Sequence, residues 1–184
     1  MKKYEFTGEV KLWLGRTLRQ IRATVAFGRV KAGEVGGWIE KEENLEQSGN
    51  AWVYDDARVC DDARVCGDAW VYGNARVYGN ARVYGDAWVY GNARVCGDAW
   101  VYGNAQVFKM SHYLTIGPIG SRCGFTTFFR TKSLEINVTC GCFRGNIEAF
   151  EKQVQETHGD SDHAKRYMMA VEMAKSWIDL SPEE

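Results

Sequence analysis

The sequence predicts a mainly β chain built around a parallel solenoid, with a small α+β domain behind it. Three observations carry that expectation. A six-residue phrase recurs without interruption through the middle of the chain, an eighteen-residue rhythm of Trp rides on it, and the composition changes abruptly after Lys109. A fixed short period has to be settled first, because each repeat is a unit that cannot bury its apolar face alone.

From Asn50 the units read NAWVYD, DARVCD, DARVCG, DAWVYG, NARVYG, NARVYG, DAWVYG, NARVCG, DAWVYG and NAQVFK, ten hexads ending at Lys109. Alternation sends Ala and Val to one face of a short strand, and the variable residue and Tyr to the other. Asn, Asp and Gly accept positive φ, so each hexad boundary is a bend. A helix needs a 3.6-residue period, which is absent, and Gly every sixth residue would cost it about 1 kcal/mol each time.

If three hexads close one triangular turn, residues eighteen apart stack at ~4.8 Å. Trp52, Trp70, Trp88 and Gln106 then share one face, Arg58, Arg76 and Arg94 a second, and Arg64, Arg82 and Trp100 a third. Tyr54, Tyr72, Tyr90 and Phe108 stack beside the Trp face. The segment resembles the left-handed parallel β-helix of hexapeptide repeats; ten hexads supply about 3.3 coils, or roughly 16 Å of prism.

Both ends of a solenoid expose unpaired strand edges that have to be covered. Residues 1–49 are the expected N-terminal cap, 50–109 the β-helix and 110–184 a C-terminal α+β domain. In the cap, NLEQSG (44–49) keeps the hexad frame with Leu45 in the Ala position. Upstream, VKAGEVGGWIEKEENL, with Val30, Val35, Trp38 and Ile39 among three glycines, reads as irregular coils. Beyond the hexads, HYLTIGPIG, CGFTTFFRT and LEINVTCGCF read as three strands. One helix is expected from an Asn146 N-cap to His158, with Gly159 as its stop. A second runs from Ser161 or Asp162 to about Leu180, burying Tyr167, Val171, Ala174 and Ile178.

The chain has 184 residues, a formal net charge of −1 and 26% charged residues, which argues against a nucleic-acid coat and against a disordered tail. No apolar run approaches the ~20 residues that span a bilayer. Glu5 and Glu9 stand where a signal peptide needs an apolar core. A cytoplasmic setting with free thiols is the expectation.

RTLRQIRA, GGWIEKEENL, the hexads, GPIGSR, CGCFRG and ETHGD together resemble hexapeptide-repeat proteins encoded by bacteriophages and prophages. The resemblance implies provenance and no established activity. It frames an expected function: a non-enzymatic, homo-oligomeric viral accessory protein in the host cytoplasm. Such a protein would bind a small anionic ligand, a signalling nucleotide or a host protein to blunt defence. The alternatives are an acyltransferase-like enzyme and a purely structural oligomer. For the acyltransferase reading the resemblance to hexapeptide β-helices implies a His general base, and this chain has no His before His112.

Candidate sites follow. Gly117, Gly120, Ser121 and Arg122 of GPIGSR form a possible anion-binding loop, with Arg130, Arg144 and His158 completing a pocket. Trp52, Trp70 and Trp88 with Tyr54, Tyr72 and Tyr90 form an outward apolar patch suited to self-association. The Arg ladders are a solvated face by default, or a docking surface for an anionic partner. Cys140 and Cys142 are weak metal candidates, since a structural zinc site shows two ligand pairs. No catalytic residue, metal or cofactor is assigned.

Overall fold

The computed structural model describes residues 2–182. Its strands are β1 (Tyr4–Trp13), β2 (Arg16–Ala23), β3 (Val35–Ile39), β4 (Trp52–Val53), β5 (Arg58–Val59), β6 (Arg64–Val65), β7 (Trp70–Val71), β8 (Arg76–Val77), β9 (Arg82–Val83), β10 (Trp88–Val89), β11 (Arg94–Val95), β12 (Trp100–Val101), β13 (Gln106–Val107), β14 (Tyr113–Ile119), β15 (Gly124–Arg130), β16 (Ile136–Cys140) and β17 (Phe143–Asn146). Two helices follow, α1 (Ile147–His158) and α2 (Asp162–Trp177).

The hexads form a parallel solenoid with the expected eighteen-residue register. Trp52 pairs with Trp70 and Trp70 with Trp88, Arg58 with Arg76 and Arg76 with Arg94, Arg64 with Arg82 and Arg82 with Trp100. Every Ala and Val of the hexads is 0% exposed, so the prism interior is a stack of small apolar side chains. Coil-to-coil hydrogen bonds hold the faces, as in Trp70 N–H to Ala87 O at 2.9 Å and Tyr72 N–H to Val89 O at 3.0 Å.

The corners explain the Asn, Asp and Gly of the repeat. Gly79 sits at φ +71°, and a Cβ there would stand 2.9 Å from the Gly97 nitrogen. Asp55 and Asp61 replace Gly in the left-handed region. Their carboxylates accept the amides of Gly73 and Gly79 one coil on, at 3.2 and 3.0 Å. Asn also caps Asp along a corner, as when Asn50 Nδ2 donates to Asp68 Oδ1 at 2.7 Å.

The solenoid is longer than the hexads alone predict. β3 pairs in parallel with β5, Trp38 facing Arg58, and Leu45 bridges Val65. These add a level below β5 and β6, giving four coils. Leu45 therefore takes the Val position and not the Ala position. Its offset is twenty residues where the hexads keep eighteen, because two extra residues lie before Asn50. Asn44, fully buried, stands in for strand pairing here. Its Oδ1 accepts from Lys41 N at 2.9 Å, and its Nδ2 donates to Asp61 O and Ala63 O at 3.0 and 2.9 Å.

The stretch 30–45, read as irregular coils, holds the regular strand β3, and the cap ahead of it is strand as well. β1 and β2 form a hairpin that extends the β3-β5-β8-β11 face to six strands. Leu14 and Gly15, both at positive φ, make its two-residue turn, the backbone that type I′ turns require. Leu14 carries no turn signal, which hides this hairpin from sequence reading.

The C-terminal sheet is a lid buried on both sides. β14-β15-β16-β17 is antiparallel, and the fourth strand, Phe143–Asn146, is one more than expected. In β15, Phe129 plugs the top of the prism core while its neighbour Phe128 packs into the core under the helices. Thr127 Oγ1 accepts the amide of Trp100 at 3.1 Å, and Thr139 donates to Trp100 O at 3.3 Å. The helices lie where the sequence puts them. Asn146 and Ser161 cap them, Gly159 ends α1, and the Tyr167, Val171, Ala174, Ile178 stripe is buried. α2 stops at Trp177, slightly short of Leu180.

Candidate functional site

Where the lid overhangs the last coil, a cavity of about 440 Å³ opens. Asp98 and Trp100 of the solenoid form one wall. The β14–β15 loop contributes Ser121 and Arg122 and the start of β15 Phe125, while Cys140 and Phe143 flank the β16–β17 turn that carries Cys142. α1 covers it with Phe150, Gln153, Val154, Thr157 and His158, and α2 adds Tyr167.

Tyr167 organises the inner end. Its ring stacks on His158 at 5.7 Å and 27° and meets Phe150 edge-on at 5.6 Å. The hydroxyl accepts from Cys140 Sγ at 3.7 Å, and Cys140 in turn accepts from Thr126 Oγ1 at 3.2 Å. Burial, helped by the Cys140 contact, pushes the Tyr167 phenol up to about 12, so it is a neutral hydroxyl at physiological pH. Gly120 is required for packing: a Cβ there would stand 1.8 Å from the Tyr167 hydroxyl.

Trp100 forms the outer end. The Arg82 guanidinium lies over its ring at 4.9 Å and that of Arg144 at 5.7 Å. Arg144 is fixed further by donating Nε–H to Tyr84 OH at 3.0 Å. Asp98, the cavity's one carboxylate among the described residues, accepts from Asn80 Nδ2 at 3.0 Å.

The proposed ligand residues therefore divide. Ser121, Arg122 and His158 line the cavity, as do Cys140 and Cys142. Arg144 sits beside it on Trp100. Gly117 does not line it; a Cβ there would press to 2.6 Å on the Phe125 ring. Arg130 is not part of it either. It ends β15, three residues and roughly 10 Å beyond Thr127, the last residue of that strand to line the cavity. There it is 1% exposed, stacked on Phe108 at 5.0 Å and donating to Ser181 O at 3.2 Å.

The aromatic face is also smaller than expected. Trp52 does not point into solvent. It is 0% exposed, covered edge-on by Phe27 at 5.4 Å and Tyr4 at 6.3 Å. Gly36 gives it room, since a Cβ there would lie 2.6 Å from the indole. Lys3 closes the same corner, its Nζ donating to Ala51 O at 2.9 Å, and burial pushes its pKa down to about 8. Trp70, Trp88, Tyr54, Tyr72 and Tyr90 stay half-buried on the surface, with Tyr72 and Tyr90 stacked at 4.9 Å.

One Arg ladder is covered over its lower two members, because Trp13 of the hairpin lies against Arg58 at 5.6 Å and Arg76 at 5.4 Å, while Arg94 stays exposed. The cluster of Glu40, Cys60 and Asp61 has ligand-type atoms within 4.8 Å of one another. Arg16 already pairs with it, Nη2 standing 2.5 Å from Asp61 Oδ1. Burial pushes the Cys60 thiol up to about 12, away from the thiolate a metal needs.

Sequence reasoning missed Trp100, Phe125, Phe143, Gln153, Thr157 and Tyr167 as cavity walls. Only Trp100 carried a signal, as the single Trp in an otherwise Arg ladder.

Fold and repeat together define the chain as a β-solenoid repeat protein. The pattern of the YdcK β-solenoid repeat matches residues 57–73, 75–91 and 87–103. An Escherichia coli (strain K12) protein named "Uncharacterized acetyltransferase YdcK" is 55% identical over 38 residues, 21% of this chain. The chain spans only 12% of that relative's length, so the similarity describes a stretch of repeat. No helix among the described residues is long and apolar enough to cross a membrane.

Proposed function

We propose that this is a binding protein whose cavity between solenoid and lid takes a small planar anion of nucleotide size. The carrying observation is the cavity itself. Its volume, about 440 Å³, lies in the range of ~300–1,000 Å³ typical of small-molecule sites. Trp100, Phe125, Phe143, Phe150 and Tyr167 set aromatic rings in its walls, with Arg122 and several hydroxyl and amide groups converging on it. The phage resemblance supports a sequestering role against host defence. Self-association through Trp70, Trp88, Tyr72 and Tyr90 belongs to the same reading; Trp70→Glu with Trp88→Glu should lower the native mass.

The test is native mass spectrometry of protein purified from a bacterial host, against the denatured mass. Extra mass that leaves on denaturation, and is absent from Gln153→Trp, supports the proposal. Parent and variant both free of added mass, with no nucleotide shifting either, would overturn it. His158 in the cavity favours one second reading, acetyl transfer with that imidazole as base, in line with the relative's name. Turnover of acetyl-coenzyme A that disappears in His158→Ala would establish it instead.

A further inference from the structure

We infer that the ligand is a nucleoside oligophosphate, and that Arg82 and Arg144 hold its outer phosphates over Trp100, outside the cavity mouth. This rests on the binding reading above. Trp100 belongs to both places: its residue lines the cavity, and its ring carries two guanidiniums, Arg82 at 4.9 Å and Arg144 at 5.7 Å. A ladder that is Arg at positions 64 and 82 becomes Trp at the level where the cavity begins.

The charge distribution points the same way. Arg122 borders the cavity, and Arg82 and Arg144 flank its Trp100 wall, three cations against the single carboxylate of Asp98. Asp98 already accepts a hydrogen bond from Asn80. Arg144 is also held in place before any ligand arrives. Its Nε–H bonds Tyr84 OH, its Nη1 lies 3.5 Å from Cys142 O, and its plane rests near the Trp100 and Tyr102 rings. A guanidinium so fixed loses little freedom on meeting phosphate, and its fork matches phosphate oxygens. Its Nη2 and the exposed Arg82 keep donors for an anion. Inside, the Tyr167–His158 stack and the Phe143 ring offer faces for a base.

Adenosine, guanosine, their 5′-triphosphates and inorganic triphosphate should be titrated calorimetrically into the wild type, Arg82→Gln/Arg144→Gln and Thr157→Trp. The expected result is that one triphosphate binds the wild type at least tenfold tighter than its nucleoside. The double Gln variant should remove that advantage and leave nucleoside binding unchanged, while Thr157→Trp should abolish both. Equal affinity of nucleoside and triphosphate, or an advantage that survives in the double variant, would sink the phosphate subsite and leave the cavity reading standing. Inorganic triphosphate matching the nucleotide, untouched by Thr157→Trp, would reject both and leave a surface anion site. Silence from all five compounds would also reject the inference, and native mass spectrometry would then decide the cavity reading separately.

Discussion

The two ends of the prism are closed in different ways. At the base, the chain turns a large residue of the repeat itself into the plug: Trp52 is buried beneath Phe27, Tyr4 and the Lys3 cradle. At the top, the plug comes from outside the repeat, as Phe129 of the lid enters the top of the prism core. The base is sealed by side chains of the N-terminal cap packed directly on the first full coil of hexads. The lid is a separate sheet laid across a triangular end, and where it overhangs it leaves the cavity. An end whose own repeat residue is packed under the cap leaves little room for a ligand, whereas an end roofed by a separate sheet makes a junction.

The comparison is broken most directly by removing the plugs. Trp52→Ala and Phe129→Ala should each cost about 3–5 kcal/mol, read from urea midpoints at unchanged slope. A loss below about 1 kcal/mol at either end would mean that end is not held by its plug.

Acid should separate the ends next. His112, 0% exposed beneath the lid, has its pKa pushed down to about 4 by burial and by the cations Arg130 and Lys109, with Asp179 opposing. The sign follows from the folded value lying below the ordinary 6.5. The stability is complete above about pH 6.5 and is lost as pH falls toward 4, by roughly 3 kcal/mol. His112→Gln should flatten this part of the stability profile. Asp179, held well below the usual carboxylate range by Ser181 and Lys109, stays ionised through that window. A profile unchanged in His112→Gln would assign the acid loss elsewhere.

Asn44→Ala sharpens the account of the base. It strands carbonyl and amide groups of the first coil and should cost about 2 kcal/mol, measured as a lower urea midpoint. No change would mean that the odd-length coil holds without it. The smallest effect is expected from Thr157→Trp, exposed on α1. Its stability should stay within about 0.5 kcal/mol of the parent while the cavity fills. A larger loss would show that the α1 face supports the lid rather than only roofing the site.

The ten hexads made the solenoid legible because each encodes the same short strand and the same left-handed corner. The helices were equally readable through Asn146, Ser161 and Gly159. The β1–β2 hairpin was not, since Leu14 takes a conformation its side chain does not announce. Leu45 was assigned to the wrong position because two extra residues shift the pairing, and no residue type marks where an offset of eighteen becomes twenty.

The site was only partly readable. Ser121 and Arg122 of GPIGSR do meet His158 in the cavity, but Gly117 does not line it, Arg130 lies at the far end of its strand, and Trp52 is buried where alternation alone turned it outward. Periodicity tells which residues share a face of the prism, because strand alternation and corner geometry are local. It does not tell what lies over that face. The sequence by itself determined the coil, its register and the helices behind it. Only the tertiary structure decided that the base is sealed, that the lid overhangs the last coil, and that Trp100 meets Arg144 and a cavity there. Those contacts join residues far apart in the chain, and how two closed units pack together is fixed by the shapes of their surfaces.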